Sequence, residues 1–86
     1  MNKKYIIEEL KKGICNIILK SEQSPESYSF SATLDSYYLP SDMPQISNKP
    51  KIIVLWNITK KKWQSVHVSF IKQLNHISSS ELLLFN

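Results

Sequence analysis

The densest chemistry in this 86-residue chain is Lys60-Lys61-Lys62-Trp63, three ammonium groups beside an indole. Lysines that track phosphates next to an aromatic stacking platform are how small barrels hold single-stranded nucleic acid. Gln64 and His67 follow at once and add neutral hydrogen-bonding groups. The plainer alternative makes Trp56 and Trp63 core or strand-pair aromatics and the lysines the solvated tip of a turn. All 11 basic residues are lysine, against 7 acidic ones, for a formal charge of +4. Arginine, which supplies the bidentate fork for bases and phosphates, is absent, so the charge excess also fits a merely solvated surface.

Other reactive residue types do not assemble into a recognisable centre. The single cysteine, Cys15, excludes an internal disulfide and a multi-cysteine zinc site. It stands in an apolar run with no activating charge in sequence, where a buried free thiol is the ordinary outcome. His67 and His76 have no cysteine or carboxylate at metal-ligand spacing. A single glycine excludes a glycine-rich phosphate loop. The sequence therefore predicts no catalytic residues, no metal and no cofactor, hence a non-enzymatic protein. No apolar run approaches the ~20 residues needed to span a bilayer. Glu8 and Glu9 stand where a signal peptide would be apolar, so a cytoplasmic protein without membrane contact is expected.

The elements that must position these residues can be read from periodicity. Residues 3–12 place Tyr5, Ile6, Ile7 and Leu10 on one side at helical spacing, and Gly13 follows as a left-handed stop. Ile14–Lys20 reads as a strand with Cys15, Ile17 and Leu19 on one face, and Ile14 and Ile18 on the other, toward the helix. Tyr28–Leu34 alternates cleanly and should pair with it as a hairpin. Residues 35–50, with Pro40, Pro44 and Pro50, read as a long loop that either folds back over the domain or rims a binding surface. Ile52–Ile58 and Trp63–Phe70 form a second hairpin across the lysine turn. On its second strand Val66, Val68 and Phe70 share the apolar face. Lys72–Ile77 supplies a short last strand. The expected architecture is mainly β: a five-stranded SH3-like or Sm-like barrel over residues 14–77. An N-terminal helix (1–13) closes one mouth, and an apolar tail (78–86) completes a single domain.

An ordered set of short motifs carries a family likeness over about residues 10–74. It comprises Leu10-Lys-Lys-Gly13, Thr33-Leu34 before Leu39-Pro40, Val54-Leu55-Trp56-Asn57, and Trp63-Gln64-Ser65-Val66-His67-Val68-Ser69-Phe70-Ile71. This set resembles the small Sm-like, SH3-type β-barrel family related to WYL domains, found in tailed phages and bacterial mobile elements. That family has a strand ending in Val-Trp-Asp and a following Trp-Arg-Ser-Phe-Arg pattern. The resemblance implies the barrel fold and binding of nucleic acid or a nucleotide-like ligand. The family's two arginines correspond to Gln64 and His67 here, and its acid to Asn57, so the inherited anion contacts are missing.

The tail supports a second reading. Glu81-Leu-Leu-Leu-Phe85 after a serine spacer resembles the short bacterial sliding-clamp-binding peptide. Leu82, Leu84 and Phe85 would be its partner anchors, in a phage factor that engages or inhibits a host protein. The alternative is that these residues dock on their own domain or in a homo-oligomer, for which Leu83 and exposed strand edges are suited.

Overall fold

The computed structural model of the protein describes residues 1–20, 23, 26–42 and 47–77. A helix, α1 (Lys3–Lys11), precedes five strands: β1 (Ile14–Lys20), β2 (Ser27–Thr33), β3 (Ile52–Asn57), β4 (Lys62–His67) and β5 (Ile71–His76). The strands form one antiparallel sheet in the order β4-β3-β2-β1-β5. The mainly β class, the five strands and the single N-terminal helix are thus as the periodicity predicts.

The expected closure into a barrel is not what the sheet does. β4 and β5 are its two edges, and β2 meets β3 only at Ala32–Asn57 and Thr33–Trp56. The open side is filled by the helix. Ile6 and Leu10 are fully buried in one cluster with Cys15, Ile17, Phe30, Ala32, Ile53, Leu55, Val66 and Ile71. A helix of nine residues is too short to persist alone, and this packing stabilises it. Asn2 caps it, its Oδ1 accepting the Tyr5 N–H at 2.8 Å.

The face assignment of β1 is reversed relative to expectation. α1 lies on the Cys15–Ile17 side, because the register sets Cys15 against Ala32 and Ile17 against Phe30, and those four form the core with the helix. Gly13 leaves the helix at φ 158, far from a left-handed cap but still a region that favours glycine. Its N–H bonds the Leu10 carbonyl at 3.4 Å. Thr33, fully buried, donates its hydroxyl to the Gly13 carbonyl at 2.7 Å and so fastens this corner to β2.

The second long run ends earlier than its alternation suggests. Val68–Phe70 is a 3-10 turn, capped by His67, whose Nδ1 accepts the Ser69 N–H at 3.2 Å. Phe70 therefore leaves the apolar face and is exposed. β5 carries a bulge at Lys72: Ile18 pairs with Gln73, but Leu19 pairs with Ile71. Lys3, which the helix dipole disfavours at this end, bonds instead across the molecule. Its Nζ donates to the carbonyls of Ser47 (3.0 Å) and Lys49 (2.8 Å).

Candidate nucleic-acid interface

The turn that carries Lys60, Lys61 and Lys62 is held from below by one buried side chain. Asn57 is only 1% exposed at the end of β3. Its Oδ1 accepts the Lys60 N–H at 3.0 Å, and its Nδ2 donates to Gln64 Oε1 at 2.8 Å. A buried amide with both ends bonded fixes a turn, since an unpaired polar group there would cost about 1–3 kcal/mol. Lys61 sits at φ 53, a left-handed conformation that costs a non-glycine residue about 1–2 kcal/mol. Thr59 ties the turn sideways to β2, its Oγ1 accepting the Ser31 N–H at 3.0 Å. All three lysines are exposed, and among the described residues none forms an ion pair.

The other predicted site residues divide. Trp63 is half-buried and meets Trp56 edge-to-face across β3 and β4, with ring centroids 5.3 Å apart. Its indole N–H donates to the Asp42 carbonyl at 3.0 Å, so the loop returns over the hairpin at this point. Tyr38, Leu39 and Pro40 are part-buried, whereas Tyr37 is 84% exposed. Gln64 does not share the face of Trp63 and His67. It stands opposite Leu55 on the core side and is committed to Asn57. His67 is on the Trp63 face but at the far end of β4, where it caps the 3-10 turn and its ring lies 5.3 Å from that of Phe70. The structure therefore keeps the three lysines in one turn next to Trp63, with Lys62 sharing the strand face of Gln64 rather than that of Trp63, and sets His67 apart at the far end of β4. Leu82, Leu84 and Phe85 lie outside the described residues.

Beside the lysine turn runs a groove of about 590 Å³, lined by Asn16, Ser29, Phe30, Ser31, Thr59, Asn75, His76 and Ile77. The register Asn75–Asn16–Ser31 makes a row of three polar side chains across β5, β1 and β2, on the face away from α1. Sequence reasoning missed this row. It follows only from which strands are neighbours, although each of its members sits opposite the core phase of its own strand.

A second unpredicted cluster lies on the helix side. The register pairs Cys15 with His76, and α1 brings Glu9 over both. The thiol is 3.5 Å from His76 Nδ1 and 3.8 Å from the Glu9 main-chain oxygen. His76 Nε2 is 3.3 Å from Glu9 Oε1, and Lys12 Nζ is 2.7 Å from Glu9 Oε2. The order resembles that of a thiol nucleophile, a base and its orienting acid, but its electrostatics oppose that chemistry. Cys15 is fully buried, and burial together with the Glu9 charge pushes its thiol up to about 11. A nucleophilic thiol requires the opposite shift. The Lys12 ammonium, then His76, hold the Glu9 carboxyl below its ordinary value, and Glu9 in turn raises Lys12. The cluster fastens the C-terminal turn of α1 to the edge strand.

Among the described residues, no three His, Cys, Asp or Glu side chains are grouped to hold a metal ion. No helix among them is long and apolar enough to cross a membrane. Comparison with protein-family models, with curated proteins and with solved structures returned no match.

Proposed function

We propose that the protein is a non-catalytic binding module for single-stranded nucleic acid, with Lys60, Lys61 and Lys62 as its phosphate contacts. The observation that carries this reading is the turn itself. Three consecutive exposed ammonium groups stand on a backbone fixed by buried Asn57 and tied to β2 through Thr59. A solvated turn does not require such anchoring, whereas a phosphate-contacting one gains from it, because less ordering remains to be done on binding. Trp63, half-buried, flanks the turn, and the exposed part of its ring face can stack one base. The buried, protonated thiol of Cys15 supports a binding role over a reactive one. The resemblance to the Sm-like, SH3-type family agrees with this function and suggests an accessory factor of a phage or mobile element in the bacterial cytoplasm.

The test is fluorescence anisotropy with a ~12-nucleotide single strand, a length within the site sizes of small barrels. Each phosphate contact contributes about 0.7 to the slope of log affinity against log salt, so three contacts should give a slope of about −2. Replacing the three lysines by glutamate should weaken binding by at least ~10-fold at low salt and flatten that slope. Affinity that is undetectable at low salt, or unchanged in the glutamate variant, overturns the proposal.

A further inference from the structure

The groove beside the lysine turn has walls of a particular chemistry. Leaving His76 aside, none of its lining residues is ionisable: Asn16, Asn75, Ser29, Ser31 and Thr59 supply only amides and hydroxyls. Phosphates seated there would meet no counter-charge, so the groove suits a neutral ligand with hydrogen-bonding edges. Its volume of about 590 Å³ falls in the range of small-molecule sites, ~300–1,000 Å³.

These walls also retain hydrogen-bonding capacity. Asn16 Nδ2 donates one long bond, 3.5 Å, to the Phe30 carbonyl, and its Oδ1 has no partner among the described residues. The side chains of Asn75, Ser29 and Ser31 likewise make no hydrogen bond among those residues. They stand on paired strands, at fixed register, rather than on a loop. Thr59 contributes to the groove and immediately precedes Lys60, so a strand with its phosphates on the lysines has the groove next to it.

Resting on the nucleic-acid reading above, we infer that the outer face of β5, β1 and β2 reads the bases of the bound strand. Asn16 and Asn75 are its discriminating residues. An amide presents a donor and an acceptor side by side. In a single strand adenine returns the complementary pair on both its Watson–Crick edge (exocyclic amine and N1) and its Hoogsteen edge (exocyclic amine and N7), where cytosine and thymine return one on a single edge. The predicted preference is therefore for adenine. Hydrogen bonds to the groove replace bonds to water and add little to affinity. Their effect is on choice among bases, while the lysines set position and strength.

The experiment compares oligo(dA), oligo(dC) and oligo(dT) of equal length at one salt concentration, with the unsubstituted protein, Asn75→Ala and Asn16→Ala/Asn75→Ala. The unsubstituted protein should favour oligo(dA) by ~2-fold or more, since adenine offers the amide two edges where cytosine and thymine offer one. The double variant should bring that ratio to near unity and leave the salt slope unchanged. Asn75 is exposed on an edge strand, so the single variant carries the test should the double variant melt early. It should then lower the ratio at an unchanged melting midpoint. Equal affinities in the unsubstituted protein, or a preference that survives in the folded variants, overturn the inference while leaving the lysine turn in place. No binding to any of the three strands overturns the nucleic-acid reading itself.

Discussion

The two halves of the sheet are built on different terms. β1 pairs with β2 along its full length, Ile14–Lys20 against Ser27–Thr33, and with β5 on its other side, under the cover of α1. The β3–β4 hairpin is equally well paired within itself, yet it joins β2 only through Ala32 and Thr33. What binds it to the rest is side-chain burial of Ile53, Leu55 and Val66, the Ile58 N–H donated to the Ser31 carbonyl at 2.8 Å, and single side-chain hydrogen bonds at Thr59 and Trp63. The lysine turn thus rides on the less tightly laddered half, while the amide row stands on the more tightly laddered one. The difference is one of means: side-chain anchors such as Asn57 and Thr59 fix the turn, whereas ladder pairing on both sides of β1 fixes the amide row.

The strongest way to break that comparison is to remove the hairpin's central anchor. Leu55 is fully buried, and Leu55→Ala should cost about 2–5 kcal/mol through lost burial and the cavity left behind. Chemical denaturation measures the loss. Amide exchange should show β3 and β4 opening before β1 and β2. A uniform loss of protection would mean that the two halves are one cooperative unit.

A smaller change sharpens the contrast. Asn57→Ala leaves Gln64 and the Lys60 N–H without their partner and should cost about 1–3 kcal/mol. Exchange should quicken over residues 58–62 and stay unchanged in β1. If the turn keeps its protection, Asn57 is not what holds it.

The smallest effect probes the other half. Glu9 titrates below its ordinary value of 4.5, chiefly through Lys12 and then His76. A lowered folded value means the contribution is present above the unfolded carboxyl's range and lost as pH falls through the folded one. Acidification below about pH 4.5 should therefore weaken first the Glu9–Lys12 pair at the end of α1 and, to a lesser extent, the Glu9–His76 contact to β5, and spare the hairpin. Glu9→Gln should flatten this part of the stability–pH curve, and an unchanged curve would leave the Glu9–Lys12 and Glu9–His76 contacts without energetic weight.

How much of this could be read from the chain alone depends on the range of the interaction. Alternation in Tyr28–Leu34 and the β-branched and aromatic run of Ile52–Ile58 are local properties, and both strands are where these put them. The helix over residues 3–12 is likewise local. Gln64 was legible too: period two places it with Val66, and grouping it with Trp63 overlooked its own strand's alternation. The 3-10 turn was not legible, because Val68 and Phe70 continue the apolar period until the His67 cap breaks it. Neither the amide row nor the Cys15–His76–Glu9 cluster has a local signal. Both arise from β5 returning to β1, a partnership that no short-range pattern specifies.

The extra residue at Lys72 has an evolutionary and engineering corollary. Ile71 and Leu74 are three apart, an odd separation that in a regular strand would send them to opposite sides, yet Ile71 is in the core and Leu74 packs against it. The irregularity is a phase shift: it lets Ile71 point inward and still delivers Asn75 outward and His76 inward. A one-residue deletion there would invert everything beyond it, exchanging the groove wall for the thiol's neighbour. Substitutions at this site should be tolerated far more readily than any change in segment length.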